Sequence, residues 1–497
     1  MKEQIMYRST RGQAGELTAS RAILQGLAAD GGLFVPSRIP QLEIAFDELP
    51  RLDYKQTAYE VMKLFLTDYT EDELTAAING AYDSKFDTDG IVALRPADGA
   101  HYLELYHGKT IAFKDMALSI LPHLLTTAAR KNGVTDEIVI LTATSGDTGK
   151  AALSGFADVP GTRIIVFYPK DGVSAVQERQ MVTQTGENTS VIGVLGNFDD
   201  AQNGVKAMFE DAELKERLAD AGFAFSSANS INIGRLTPQI VYYVYAYGRL
   251  IKDGALAPGE RMNVAVPTGN FGNILAAHYA KLMGLPIGKL ICASNDNRVL
   301  TDFFETGVYD KKRPFITTSS PSMDILISSN LERLVYELSG GDADLTRARM
   351  ASLSGCGSYG LTASERDRMS DFYGGCATER EVSEEISRLW QKCGYVIDTH
   401  TAVASCVYNK YRAETGDTTP TVIASTASPY KFARSVMEAI DEKYAALGDF
   451  ELIDELARIS GVPVPPAIEE IRTAPVRHTR VVGAPEMRIA VEEVLGV

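Results

Sequence analysis

The sequence predicts an α/β protein in which parallel or mixed sheets are wrapped by helices, with a helical domain at the amino terminus. From residue 102 onward, short β-rich runs alternate with helical segments. Six such runs lie at residues 137–143, 162–169, 190–195, 261–268, 289–294 and 420–426. Alternation of this kind is typical of parallel sheets whose faces are covered by helices.

The amino-terminal part of the chain carries two helix signals. Residues 53–66 place apolar side chains at helical spacing. Thr70 and Glu73 have the spacing of a capping box, in which each side chain bonds the other's backbone N–H at a helix start. We therefore predict a separate amino-terminal domain over residues 1–96.

The remaining chain is long enough for two α/β domains. We predict a smaller one over residues 97–245 and a larger one over residues 246–497, with a Gly- and Pro-containing connector at 253–261. After Asp449 we expect helices that are interrupted by the Pro-rich residues 462–466.

Composition limits the partners. The 497 residues include 49 basic and 65 acidic side chains, a net charge of −16 that repels phosphate backbones and anionic membranes. The five cysteines form no metal-ligand pattern, and the first residues lack the apolar core of a signal peptide. We expect a soluble cytoplasmic protein that binds no nucleic acid, membrane or metal, although small anionic substrates remain compatible with this charge.

Two polar Gly turns each follow an apolar strand and precede a helical segment, at residues 142–150 and 267–273. In an open α/β sheet such turns lie where ligands bind, and their backbone N–H groups favour anions. A Walker A loop is excluded, because Thr144 and Ala151 occupy its required Gly and Ser/Thr positions. The GxGxxG match at 355–360 follows no strand and is interpreted as a chance loop.

A third segment, residues 106–115, places Lys114 between Phe113 and Asp115 at a predicted helix start. The helix dipole disfavours a cation there. Covalent linkage to an aldehyde cofactor would remove that cost, although a single lysine is far more often a solvated surface group.

Seven motifs taken together resemble the threonine synthase family, which consists of fold-type II enzymes that use pyridoxal phosphate (PLP). In chain order they are HGKTIAFKD, TATSGDTGKAAL, SSANSINIGRLTPQ, PTGNFGNILAA, VLTDFFETGVY, SPSMDILISSNLERL and IASTASPYKF. The resemblance covers residues 7–434, and several long motifs in the right order are specific where one Gly loop would be weak. It implies the fold of the tryptophan synthase β-like enzymes.

The resemblance also implies a role for individual residues. Lys114 carries the cofactor as a Schiff base and is the catalytic residue. Other residues expected to bind the cofactor are Phe113, Asp147, Gly269, Asn270, Phe271, Gly272, Asn273 and Thr426. Those expected to bind the substrate are Ser145, Thr148, Asn229, Ser230 and Arg235. Arg235 supplies the planar donor fork that suits a phosphate group.

Two positions depart from the family pattern. The family commonly has proline where this chain has Lys109, and histidine where it has Ser428. Neither change removes a group that the chemistry requires, and we interpret Lys109 as solvated. The remaining candidates are interpreted as structural, with His107, His278 and His400 as packing or surface residues and Asp302 and Asp324 as helix caps.

The implied activity is conversion of O-phospho-L-homoserine and water to L-threonine and phosphate, a β,γ-replacement in threonine biosynthesis. A phospho-lyase or a serine/threonine dehydratase of the same fold would share Lys114 and the second Gly turn, whereas Asn229, Ser230 and Arg235 argue against a plain dehydratase. A non-enzymatic protein of this fold is disfavoured by the intact Lys114. The resemblance also implies a monomer or weak homo-oligomer.

Overall fold

The computed structural model describes residues 4–144, 146–170, 172, 173 and 175–497. These residues form fifteen strands: β1 (Tyr7–Ser9), β2 (Phe34–Pro36), β3 (Ala93–Ala97), β4 (Ala100–Glu104), β5 (Glu137–Ala143), β6 (Thr162–Pro169), β7 (Thr189–Leu195), β8 (Phe223–Ser226), β9 (Met262–Pro267), β10 (Ile287–Ser294), β11 (Val308–Asp310), β12 (Ser358–Gly360), β13 (Phe372–Cys376), β14 (Thr421–Ser425) and β15 (Val481–Gly483).

The helices among the described residues are α1 (Ala19–Gln25), α2 (Tyr54–Phe65), α3 (Glu71–Ala81), α4 (Asp115–Leu118), α5 (Leu121–Lys131), α6 (Asp147–Phe156), α7 (Ala175–Val182), α8 (Phe198–Glu210), α9 (Ala212–Asp220), α10 (Ile233–Lys252), α11 (Gly272–Leu282), α12 (Val299–Thr306), α13 (Leu331–Leu338), α14 (Ala343–Gly355), α15 (Ala363–Arg368), α16 (Glu379–Cys393), α17 (Thr399–Thr415), α18 (Ala433–Ile440), α19 (Asp449–Ser460), α20 (Pro466–Thr473) and α21 (Met487–Leu495). None of them is both long and apolar enough to cross a membrane.

Two main sheets carry the fold. The larger has six strands in the order β13-β10-β9-β14-β4-β3, parallel except for the antiparallel edge pair β3-β4. The smaller has five parallel strands in the order β15-β7-β6-β5-β8. The predicted α/β class with parallel and mixed sheets is therefore confirmed.

The longest helix, α10, is buried along nearly its whole length. It packs against α11 of the larger sheet's layer and against α2, α4 and α5. Apolar and aromatic side chains make up most of its sequence, which is typical of an interior helix. Its first turn therefore lies deep in the molecule, where it contributes to the site described below.

The amino-terminal helix signals are confirmed. Thr70 caps α3, accepting from the Glu73 N–H while the Glu73 carboxylate accepts from the Thr70 N–H. An equivalent box of Asp53 and Gln56 opens α2. The helices after Asp449 are also present as predicted, and α20 begins at Pro466 after the Pro-rich segment.

The sheets group the strands differently from the predicted domain order. Strand β4 lies within the predicted smaller domain and β3 crosses its amino-terminal boundary, yet both belong to the larger sheet. The late strand β15 joins the smaller sheet, where it pairs with β7. This happens because a parallel neighbour can come from anywhere in the chain once a helical crossover separates the strands. The boundaries at residues 96 and 245 stay a prediction.

Candidate active site

A cavity of about 310 Å³ opens between the two sheets. It is lined by thirteen of the fourteen residues that the sequence singled out: Phe113, Lys114, Asp147, Thr148, Asn229, Ser230, Arg235, Gly269, Asn270, Phe271, Gly272, Asn273 and Thr426. The fourteenth, Ser145, lies outside the described residues. Segments that are more than 300 residues apart in sequence thus converge on one concave site.

Lys114 lies at the amino-terminal end of the short helix α4. Its side chain is 12% exposed, and its Nζ donates to Asp147 Oδ2 at 3.3 Å and to Ser322 Oγ at 3.0 Å. The Phe113 N–H donates to the Thr426 carbonyl at 2.8 Å, which fixes the lysine segment beside the end of β14. The structure therefore brings Lys114 and Thr426 together through the backbone.

The first Gly turn joins β5 to α6. Thr144 Oγ1 accepts from the N–H groups of Gly146 and Gly149, both at 3.0 Å, and so closes the turn. Gly146 has a φ of 139°, in a region that L side chains rarely adopt. Asp147 is the first residue of α6, where the helix dipole favours a carboxylate.

The second Gly turn joins β9 to α11. Its carbonyls are occupied, since Ser328 Oγ donates to the Gly269 carbonyl at 2.6 Å and Asn330 Nδ2 to the Asn270 carbonyl at 2.9 Å. Phe271, at a φ of 66°, turns the chain into the helix. With its carbonyls bound elsewhere and a helix start beside it, the turn has the character of an anion site.

The segment before α10 supplies a second set of donors. Arg235 is buried, and its guanidinium donates to the Ala228 carbonyl at 2.9 Å. Among the described residues it pairs with no carboxylate. Ser230 and the exposed Asn229 lie on the same cavity wall. An unpaired guanidinium facing a cavity is a strong site for an anionic ligand.

Two buried donors at the cavity have no hydrogen-bond partner among the described residues, Arg235 Nε and Asn273 Nδ2. The Asn273 side chain already accepts from the Tyr243 hydroxyl, which fixes its orientation. A buried donor without a partner costs free energy, about 1–3 kcal/mol for a neutral group. Asn273 Nδ2 lies at the second Gly turn and Arg235 Nε at the segment before α10. Each unpartnered donor therefore lies where an anion is expected to bind.

The charges in the cavity influence each other. Burial, together with the positive charge of Lys431, lowers the pKa of Lys114, although Asp147 acts in the opposite direction. Burial opposes ionisation of Asp147, but Lys114 and Lys431 outweigh it, and its pKa lies well below the usual range. Burial also lowers the pKa of Arg235 to about 10, so this side chain stays charged near neutral pH.

Sequence reasoning missed several residues of this site. Ser322 contacts both Lys114 and Asp147, and Gln177 donates to Asp147 Oδ1 at 3.2 Å. His400, expected to be a packing or surface histidine, is buried, lines the cavity and accepts from the Ser322 N–H at 3.2 Å. Ser322 lies in the motif SPSMDILISSNLERL, but the motif alone indicates no role for this serine.

Lys109 and Ser428, the two positions that depart from the family pattern, each contact another residue of the chain. Lys109 is exposed and pairs with Glu470 at 3.2 Å. Ser428 accepts from the Tyr430 N–H at 3.3 Å, which caps the single helical turn that follows β14. Neither residue is among those lining the cavity in the described part of the chain.

Two family models match the chain. The one described as threonine synthase N terminus matches residues 6–82, and the one described as threonine synthase, C-terminal, matches residues 401–483. The human protein threonine synthase-like 1 is 38% identical over 437 residues. That match covers 85% of this chain and 58% of the relative, so the chain spans less than two thirds of such relatives.

Two further matches extend over nearly the full length of both this chain and the similar protein. The threonine synthase of Saccharomyces cerevisiae is 35% identical over 466 residues, covering 88% of this chain and 89% of the yeast protein. The crystal structure of PLP-bound threonine synthase from Brucella melitensis superposes with a TM-score of 0.87 at 35% identity, covering 99% of both chains. The resemblance inferred from the seven motifs is confirmed, and the chain belongs to the threonine synthase family.

Proposed function

We propose that this protein is a PLP-dependent threonine synthase that converts O-phospho-L-homoserine and water to L-threonine and phosphate. One observation carries the proposal: a single cavity joins a buried lysine to two separate anion-binding donor sets, the turn at residues 269–273 and the segment ending at Arg235. A phosphorylated cofactor acting on a phosphorylated substrate needs two such sets. Membership of the threonine synthase family supports the same activity.

The residues present fit the cofactor. The N–H groups of the turn at 269–273 would hold its phosphate, and Asn273 Nδ2 offers a free donor there. Lys114 would carry the covalent linkage, with Phe113 and Asp147 beside it, and the Thr426 hydroxyl would accompany the pyridine nitrogen. Bound PLP supplies an electron sink, which stores the electrons released when protons leave the substrate carbons.

The chain's own groups would divide the remaining work. Lys114, freed from its linkage when substrate binds, would carry protons between substrate carbons as a buried amine of lowered pKa. Arg235, Asn229 and Ser230 would bind the substrate phosphate and retain it after its C–O bond breaks. Thr148 and Ser145 would bind the substrate carboxylate.

Incubation with O-phospho-L-homoserine in deuterated water should give threonine and an equal amount of phosphate. The threonine should carry deuterium at Cγ, because phosphate leaves that carbon with the bonding electrons and a solvent-exchanging group such as Lys114 then protonates it. Mass spectrometry of the amino acid and a phosphate assay measure both products.

A control reaction with L-threonine alone tests the dehydratase alternative. Release of 2-oxobutyrate and ammonia as main products from O-phospho-L-homoserine would contradict the synthase proposal and indicate a phospho-lyase. Ammonia from L-threonine at a comparable rate would indicate a dehydratase.

Gly269→Ala should weaken PLP binding by roughly tenfold to hundredfold, the effect of about 1–3 kcal/mol of overpacking. A Cβ at this position would lie 2.5 Å from the Ser322 carbonyl oxygen, and backbone cannot retreat as a flexible side chain can. The turn and the Ser322 segment must therefore separate. Spectrophotometric titration of the apoprotein with PLP measures the change.

Gly355→Ala is the matched control, since a Cβ there meets no atom within 4 Å. Its PLP affinity should equal that of the wild type. Wild-type affinity in Gly269→Ala would show that the turn does not hold the cofactor phosphate.

The wider setting is inferred from composition and family. We infer that the protein acts in the cytoplasm on a small-molecule substrate, as a monomer or weak homo-oligomer, without nucleic-acid partners. The net charge of −16 supports the last point, because it opposes binding to phosphate backbones.

A further inference from the structure

Asp147 is shared between two lysines. Its Oδ2 accepts from Lys114 Nζ at 3.3 Å and from Ser322 Oγ at 3.0 Å. Its Oδ1 forms an ion pair with Lys431 Nζ at 3.1 Å and accepts from Gln177 Nε2 at 3.2 Å. The carboxylate thus has one cation on each oxygen, and only one of these, Lys114, belongs to the chemistry proposed above.

Lys431 is held behind the site rather than in it. Its side chain is fully buried, and besides its ion pair with Asp147 it donates a hydrogen bond to the Thr110 carbonyl at 2.8 Å. Thr110 is fixed in turn, because its N–H and its hydroxyl donate to Asp115 at 2.8 and 2.6 Å. Within the described part of the chain, Lys431 is not among the residues that line the cavity. Its effect on the site is therefore exerted through its ion pair with Asp147 and through its charge, without direct contact with a ligand in the cavity.

The two lysines differ in what happens to their charge. With the cofactor bound, Lys114 would no longer carry a free ammonium, and its nitrogen would gain and lose protons as it works on the substrate. A buried carboxylate that depended on Lys114 alone would lose its compensating charge whenever that nitrogen was unprotonated. Lys431 forms no linkage to the cofactor and stays paired with Asp147 throughout.

Other charged groups face this cluster from the surrounding elements. They are Asp115 on α4, Lys150 on α6, Arg235 on α10 and His400 on α17. Among the described residues, Asp147 makes a hydrogen bond to none of these four. The two lysines are therefore its direct cationic partners.

We propose that Lys431 is a positioning residue that holds Asp147 in place throughout the cycle, and that its own positive charge lowers the pH at which the Lys114 nitrogen loses its proton. The inference rests on the proposed function for the presence of PLP. Two positive charges on either side of one carboxylate repel each other. At an effective dielectric constant near 20 this repulsion shifts a titration midpoint by about 1–2 pH units. Lys431 therefore lowers the titration midpoint of the Lys114 nitrogen.

The test uses the PLP-loaded enzyme and follows its absorption as a function of pH, because the cofactor band reports protonation of the nitrogen that links it to Lys114. Lys431→Met should raise the midpoint by about 1–2 pH units, since a positive charge is lost while Asp147 keeps its own. Lys431→Arg, which retains the charge, should return the midpoint most of the way to the wild-type value.

Lys109→Met is the matched control, because it removes an exposed lysine that is paired with Glu470, and its midpoint should be unchanged. Should Lys431→Met fail to fold, Lys431→Gln, which retains a donor for the Thr110 carbonyl, gives the same measurement. An unchanged or lowered midpoint in a folded, PLP-loaded variant would overturn the inference. Absence of the cofactor band in the wild type would instead overturn the proposed function.

Discussion

Lys114→Ala should lose the covalent cofactor band and reduce turnover by roughly 10³-fold or more, because both the linkage and the proton carrier disappear. The variant should still fold. Asp147 keeps Lys431, Ser322 and Gln177 as partners, so removing Lys114 leaves no isolated buried charge. Absorption spectra, threonine formation and a thermal melt measure the three effects.

Borohydride reduction of the wild type followed by peptide mapping gives an independent check. The pyridoxyl group should lie on Lys114. Lys150 and Lys431 are the informative alternatives, because both are buried near the site and burial also lowers the pKa of Lys150, to about 7. Label on either, or full activity in Lys114→Ala, would refute the assignment. Lys109→Ala, at an exposed lysine, serves as the control variant.

Arg235→Ala should lower kcat/KM for O-phospho-L-homoserine by roughly tenfold to hundredfold, as expected for loss of a charge-assisted contact worth about 1.5–3 kcal/mol. Arg235 has no carboxylate partner among the described residues, so its removal strands no acidic group. Arg235→Lys should rescue only part of the loss, because an ammonium lacks the planar donor fork. Steady-state kinetics and competition by inorganic phosphate measure the change.

Arg349→Ala is a suitable comparison, because Arg349 is also buried but forms a two-bond ion pair with Glu365 outside the cavity. That substitution should lower the melting temperature and leave kcat/KM of the folded enzyme unchanged. An Arg235→Ala protein with wild-type kcat/KM and a normal PLP spectrum would show that the substrate phosphate binds elsewhere.

The sequence indicated the site well where a motif carries its own geometry. A strand followed by a polar Gly turn and a helix start places its residues at one sheet edge, so the positions of Asp147 and Gly269 followed from local pattern. Arg235 was assigned by resemblance, and its lack of a carboxylate partner could be read only from the folded structure. Ser322 and Gln177 were missed because side chains on loops and helix surfaces acquire partners only through long-range packing.

Local sequence was sufficient to predict the α/β class, the capping box of Thr70 and Glu73, the two Gly turns and the family, because each of these is encoded in neighbouring residues or in the order of motifs. The tertiary structure alone decided the membership of the sheets, where β15 joins strands that lie nearly 300 residues earlier. It also decided that Lys431 neutralises Asp147 from behind the cavity. Both depend on contacts between distant segments, and neither hydrophobic periodicity nor residue spacing specifies which distant segments meet.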